Sequence, residues 1–173
     1  MRHLLTLLLL TATFITAAPK IYFSPKGGCT QVLVNEIGKA KKEIRVQAYS
    51  FTSAPIYTAL VEAHKRGVDV AVILDRSALG TSYKSVQALN TAGIPLLVDD
   101  KHAIAHNKIT IIDESVVVTG SFNYTKQAEV SNAENLLVLD SDGPVYKQNW
   151  VNHSKHCPTY AEYLDIKAKK GKQ

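Results

Sequence analysis

Between Lys20 and His153 the apolar positions fall into short runs separated by polar or glycine-containing breaks, and the period of each run sets the element it predicts. Lys20 to Phe23 forms a short first strand, and Gln31 to Lys41 carries Val32, Ile37 and Ala40 as a helix would. In Glu43 to Ser50, Ile44, Val46 and Ala48 alternate with Arg45 and Gln47, the signature of a half-buried strand. Ser53 offers an N-cap, Pro55 suits a first helical turn, and Gly67 closes a helix running through Arg66. Val68 to Leu74 is nearly continuous in apolar residues, which predicts a strand buried on both faces. Ser85 to Ala92 reads as a helix stopped by Gly93 and Pro95. Strands follow at Leu96 to Val98, Lys108 to Ile112, Ser115 to Thr119 and Asn135 to Leu139, before a final helix over Pro144 to His153.

Early strands that alternate with helices predict an α/β fold, a three-layer α/β/α sandwich around a mixed, largely parallel central sheet. The clustering of the later strands is what makes the sheet mixed. A chain of 173 residues, 46% hydrophobic and 20% charged, fits one domain with a sizeable core and argues against two.

The ends are different in character. Met1 to Ala18 runs from Arg2 through a leucine-rich stretch to Thr16, Ala17 and Ala18, the layout of a secretory signal peptide. Its apolar run is only about a dozen residues, short of the roughly 20 needed to span a bilayer. The expected organisation is a signal peptide at 1–18, a catalytic domain at 19–165 and a basic tail at 166–173. Export to the periplasm follows, with membrane anchoring if the signal is retained. Net charge is +5, and removing the single charge at Arg2 leaves +4, which Lys167, Lys169, Lys170 and Lys172 in the tail account for. The folded core is therefore close to neutral, and charge alone does not choose a substrate. Cys29 and Cys157 admit either a disulfide joining the domain's ends or two buried thiols, and no Cys/His spacing suited to a metal is present.

Chemistry concentrates between His106 and Asn123. If Ala105 to Ile112 is extended, His106 and Lys108 project from one face, and Ser121 and Asn123 repeat that two-residue spacing after Gly120. An imidazole can attack phosphorus or shuttle a proton; lysine, serine and asparagine can stabilise charge on phosphoryl oxygens. A protonated lysine has no lone pair for a metal, and no carboxylate cluster stands nearby in sequence. The expected site is therefore metal-free, with Lys108, Ser121 and Asn123 binding substrate. Taken singly, each residue also fits a structural role; their joint spacing is what points to a site. Tyr124 and Phe122 suit either stacking on a base or core packing, and His102 is placed near the cleft, while His64, His153 and His156 are expected at the surface.

His-x-Lys, four residues, Asp113, six residues and Gly-Ser-x-Asn together resemble the signature of the phospholipase D superfamily. Tyr49-Ser50-Phe51-Thr52, Arg66-Gly67-Val68-Asp69-Val70 and Ala133-Glu134-Asn135 extend the likeness to its small bacterial Nuc-type endonucleases, across nearly the whole mature domain. The resemblance implies that His106 is a nucleophile forming a phosphohistidine, that a second motif histidine acts as general acid and base, and that Glu134 accepts a hydrogen bond from the histidine ring. Only one copy of the motif is present, so it also implies a homodimer. Asp113, seven residues from His106, is assigned to structure at the Asp113-Glu114 turn.

Three functions share this core. A sequence-nonspecific endonuclease acting on DNA or RNA comes first, because cleaving the backbone requires no base reading. A phospholipase D-type hydrolase of lipid headgroups is the alternative. A noncatalytic nucleic-acid-binding protein fits poorly with the full set of His106, Lys108, Ser121, Asn123 and Glu134.

Overall fold

The computed structural model describes residues 18–171; apart from Ala18, the expected signal peptide lies outside them. In chain order the elements are β1 (Lys20–Ser24), α1 (Cys29–Lys39), β2 (Glu43–Ala48), α2 (Ala54–Lys65), β3 (Asp69–Asp75), α3 (Ala78–Thr81), α4 (Tyr83–Thr91), β4 (Leu96–Asp99), β5 (Lys108–Ile112), β6 (Val116–Gly120), α5 (Lys126–Val130), β7 (Glu134–Leu139), α6 (Gly143–Ser154) and α7 (Tyr160–Lys170).

The seven strands form one sheet in the order β1-β7-β6-β5-β2-β3-β4. Helices on its two faces make it the expected α/β/α sandwich. The sheet is mixed, but the expectation that it is largely parallel is corrected: only β2–β3 and β3–β4 are parallel, and the other four pairings are antiparallel. The reason is local. A helix separates β2 from β3 and β3 from β4, as a parallel crossover requires, whereas only Asp113, Glu114 and Ser115 separate β5 from β6, enough for a hairpin alone. Asp113 and Glu114 adopt φ of 52° and 53°, and the Ser115 N–H donates to the Ile112 carbonyl at 3.0 Å, closing a two-residue turn whose twist suits a hairpin.

Alternation along the strands divides the core. Val70, Val72 and Leu74 of β3 pack with Ile44, Val46 and Ala48 of β2 under α1, α2 and α4. Ala71 and Ile73 join Ile109, Ile111 and Val117 on the opposite face, beneath Trp150 of α6. Trp150 also donates from Nε1 to the Val46 carbonyl at 3.1 Å, so the indole loses no hydrogen bond on burial. In α2, Ile56, Leu60 and Ala63 are buried at helical spacing. Burying each of the two larger side chains contributes about 1.5–3 kcal/mol before entropy is counted.

Cys29 and Cys157 are free thiols buried in the cores on opposite faces of the sheet, which settles the open choice against an intrachain disulfide. Burial is the main cause that raises the Cys157 pKa to about 12, with Asp99 and Asp100 adding to it. The lysine-rich end is helical through Lys170 in α7, which a Thr159–Glu162 capping box begins. Among the described residues, no helix is long and apolar enough to cross a membrane.

Candidate active site

The C-terminal ends of β1, β2 and β6 and the N-terminal ends of β5 and β7 meet at one end of the sheet. Their register explains why residues far apart in sequence converge. Ile109 pairs with Thr119, so the next step of the ladder sets Lys108 beside Gly120, and Gly120 pairs with Leu136 two residues after Glu134. Gly120 has a φ of 144°, and a Cβ there would stand 2.2 Å from the Asn135 carbonyl oxygen. Only glycine lets β6 approach β7 closely enough for Ser121 to meet Glu134.

His106 precedes β5 instead of lying in it, in an irregular segment held at two points. The Ala105 N–H donates to the buried Asp75 carboxylate at 2.7 Å, and the Tyr49 N–H to the Asn107 carbonyl at 3.0 Å. The imidazole is exposed, with the Tyr49 ring against it at a centroid separation of 4.4 Å. Lys108 is only 5% exposed, yet its Nζ lies 2.9 Å from His106 Nδ1 and 2.7 Å from the His106 carbonyl oxygen. That ammonium also stands 5.2 Å from the centre of the Tyr49 ring. Burial lowers the Lys108 pKa from its ordinary value, and the Glu134 carboxylate pulls it back up.

Ser121 and Glu134 meet directly. Ser121 Oγ donates to Glu134 Oε2 at 2.6 Å and accepts from the Asn135 N–H at 3.0 Å. Asn132 Nδ2 donates to Glu134 Oε1 at 3.0 Å. The histidine ring that the resemblance assigned to Glu134 is not among its partners in this chain; both carboxylate oxygens are engaged by Ser121 and Asn132. Asn123 is half-buried, and its Oδ1 is buried without a hydrogen-bond partner. A group left unpaired at this depth costs free energy until something bonds to it, and turning the amide over presents its N–H2 as a donor instead.

Asp113 stands at the other end of β5. Its carboxylate accepts from the N–H groups of Lys41, Lys42 and Glu43 at 2.9, 2.7 and 3.0 Å. Partial burial pushes its pKa up, but these three bonds, together with the nearby Lys42 charge, outweigh that and hold it below the usual range. Phe122 and Tyr124 are core residues, each 1% exposed, and Tyr124 shares a 2.8 Å hydrogen bond with Thr110. Base stacking by either ring does not fit this arrangement.

A family profile described as a cardiolipin synthase, PLD-like domain, matches residues 33–155. The chain belongs to the phospholipase D superfamily. Among its superfamily relatives, a phospholipase D of Rickettsia conorii is 43% identical over 132 residues, which are 75% of this chain and 66% of that protein, just short of two thirds of its length. A mitochondrial cardiolipin hydrolase of Xenopus laevis is 33% identical over 111 residues, 64% of this chain and 52% of that protein. Nuc from Salmonella typhimurium, a phospholipase D family member of known crystal structure, superposes with a TM-score of 0.79 at 35% identity, covering 83% of this chain and 97% of Nuc.

Some participants were not singled out by sequence reasoning. Tyr49 packs on His106, and Asn132 and Asn135 hold the Ser121–Glu134 pair; Tyr49 and Asn135 lie inside motifs that carried the superfamily likeness, so position within a motif was the available signal. One of the other histidines also needs correction. His153 is not a free surface residue: its Nε2 and His102 Nδ1 both lie 2.6 Å from Oδ2 of the fully buried Asp99. His156 stacks on His153 at 5.1 Å between ring centres. Burial favours protonation of Asp99, but bonds from the N–H and ring of His102, the His153 ring and the Lys101 N–H outweigh it and hold its pKa far below the carboxylate range.

Proposed function

We propose that this chain is an exported phosphodiesterase that cleaves nucleic acid without a metal ion, in a site completed by a second copy of itself. The observation that carries this reading is the position of Lys108. A buried ammonium beside an exposed imidazole, next to the unpaired amide of Asn123, makes a small cationic, donor-rich centre suited to a phosphodiester.

In the proposed reaction, His106 Nε2 attacks phosphorus and the P–O bond to the leaving group breaks. The ring of the second copy's corresponding histidine, protonated, gives its proton to that oxygen. The same ring, now neutral, takes a proton from water as the water attacks the phosphohistidine and the P–N bond breaks. Lys108 and Asn123 carry the charge that accumulates on the nonbridging oxygens, with Ser121 positioning Glu134 beside them. Phosphorus chemistry of this kind needs donors, and the residues gathered here are donors: the only carboxylate argued into the centre, Glu134, is occupied by Ser121 and Asn132.

A single chain falls short in two respects, which is the support for a homodimer. One imidazole bonded to phosphorus cannot also protonate the leaving group. Moreover, while Nδ1 accepts from Lys108, the neutral ring carries its proton on Nε2, the atom that must attack. A carboxylate brought to Nδ1 from a second copy reverses that tautomer, and Glu134 is the candidate. The surface beside it suits a protein partner: Phe23 is 66% exposed on the free edge of the sheet and lines a shallow depression with Ser121, Glu134 and Asn135.

The nucleic-acid substrate rests on the extended motif likeness to the Nuc-type endonucleases and on the 97% coverage of Nuc. Lipid headgroup hydrolysis is the second reading, favoured by the name of the Rickettsia relative and by the exposed Ile104 two residues from His106. The test is to incubate purified mature protein in EDTA with single-stranded DNA, double-stranded DNA, RNA and phosphatidylcholine or cardiolipin vesicles, with His106→Ala as control. Cleavage of nucleic acid that the variant lacks is the expected result. Headgroup release with nucleic acid intact transfers the protein to the lipid reading, and no turnover in EDTA by protein whose fold and melting are unchanged there overturns the metal-free mechanism.

A further inference from the structure

Away from His106, three histidines and one aspartate converge from distant parts of the chain. Asp99 ends β4, His102 follows it in the segment leading to His106, and His153 and His156 lie at and just beyond the end of α6. One ligand atom from each residue lies within 4.8 Å of all the others. The three histidines border an open cleft of about 330 Å³ whose wall includes Ile104, Ala105 and Asn107, with Asp99 buried beneath them.

We propose that Asp99, His102, His153 and His156 form a structural Zn2+ site that ties the His106-bearing segment to α6. Three imidazoles and one carboxylate are a tetrahedral donor set for a borderline-soft ion, whereas Ca2+ and Mg2+ demand more oxygen ligands. Four protein ligands fill a tetrahedral zinc completely, the arrangement of a structural site. Bonds of about 2.0–2.2 Å set tetrahedral ligand atoms about 3.3–3.6 Å apart. Asp99 Oδ2 now sits 2.6 Å from two imidazole nitrogens, so those two contacts open by about 1 Å, while the widest-spaced ligand atoms, no more than 4.8 Å apart, close by about 1.5 Å or less to admit the ion.

The surroundings are arranged as a metal-binding histidine requires. Gln47, buried on β2 among apolar neighbours, places its side-chain Nε2 3.0 Å from His153 Nδ1. With zinc on Nε2, Nδ1 carries the proton, and turning the Gln47 amide over lets it donate to the amide oxygen, fixing both tautomer and ring orientation. Asp99 is likewise oriented, because its Oδ1 accepts from the N–H groups of Lys101 and His102 at 2.9 and 3.1 Å and leaves Oδ2 turned to the cluster. A buried glutamine and a buried aspartate both aimed at exposed and half-exposed histidines make little sense for a solvated surface.

The consequence is mechanical and separate from the phosphodiester chemistry. The ion joins the segment from Asp100 to Asn107 to α6, and so braces the approach to His106 whether or not the nuclease reading holds.

The experiment uses the mature protein without a histidine tag, stripped with chelator and dialysed. Zinc uptake is followed by elemental analysis and competition with a chromophoric chelator, geometry by the visible spectrum of the Co2+ form, and stability by thermal melting. The expected results are one Zn2+ per chain, an intense tetrahedral Co2+ spectrum, and a Tm raised by about 5–10 °C when free Zn2+ is a hundredfold above Kd. His106→Ala retains all three. His102→Gln and His156→Gln, both at exposed rings, keep the metal-free Tm and lose uptake at concentrations that saturate the wild type. Uptake well below one equivalent, a weak six-coordinate Co2+ spectrum, uptake by either glutamine variant equal to that of the wild type, or loss of uptake in His106→Ala overturns the proposal.

Discussion

Replacing Lys108 with methionine separates catalysis from folding. The stem of Lys108 is packed in the sheet and only its ammonium makes polar contacts, to His106 Nδ1 and the His106 carbonyl, so methionine keeps the shape and deletes the charge. Losing a preorganised donor from a phosphoryl site costs about 2.7–4 kcal/mol of transition-state stabilisation, which lowers kcat about a hundred- to a thousandfold. Stability responds differently. Breaking the charged hydrogen bonds costs about 1.5–3 kcal/mol, and no longer burying an ammonium returns an amount of the same order. The net change is within about 1.5 kcal/mol, or about 5 °C in Tm for a domain of this size. The pH dependence carries a sign. Burial lowers the folded Lys108 pKa below its unfolded value, so the wild type gains stability as pH rises through the folded pKa toward about 10.4. Any advantage of Lys108→Met at neutral pH therefore shrinks in alkali. Steady-state cleavage in EDTA and calorimetry from neutral to alkaline pH measure both effects. A kcat within threefold of wild type, or a Tm lower by well over 5 °C, refutes the reasoning.

Two further substitutions test the scaffold. Asp113→Ala removes the acceptor for three backbone N–H groups and leaves a residue at positive φ, which costs about 2–4 kcal/mol in urea unfolding. Because the folded Asp113 pKa is depressed, its charge contributes fully above about pH 4 and less as pH falls through the folded value, so the gap between variant and wild type narrows in acid. Gly120→Ala drives a Cβ against the Asn135 carbonyl and strains an unusual φ; a stability loss above about 1 kcal/mol is expected, together with reduced turnover because Ser121 and Glu134 are displaced. Unchanged melting and activity in that variant contradict the close approach of β6 to β7.

How much of this was legible depended on whether the determining contacts were local. The strand from Lys108 to Ile112 and the helix under Leu60 carried their own period. The parallel β2–β3–β4 half followed from strand–helix alternation, and the short Asp113–Ser115 link already required a hairpin, so the antiparallel weight of the sheet was available from loop length. Helix α5 has only five residues, too few for a periodic signal. Helix α7 is largely charged and exposed, but its Thr159-x-x-Glu162 start was a readable cap. At the candidate site, motif spacing placed His106, Lys108, Ser121 and Asn123 together, and the family resemblance added Glu134. It could not show that Glu134 bonds Ser121 and Asn132 instead of the histidine within one chain, since that depends on side-chain direction across β6 and β7. The Asp99–His102–His153–His156 cluster left only two three-residue spacings, Asp99-x-x-His102 and His153-x-x-His156, roughly fifty residues apart in the chain, with no local signal that they meet.

The central claim is that His106 becomes covalently bonded to phosphorus, and the stereochemistry of hydrolysis tests it most directly. A chiral phosphorothioate diester is to be cleaved by the mature protein in heavy-oxygen water with EDTA present, and the configuration at phosphorus determined. Two successive in-line displacements, through a phosphohistidine, predict net retention, with the reaction absent in His106→Ala. Net inversion means that water attacks phosphorus directly, and contradicts the account.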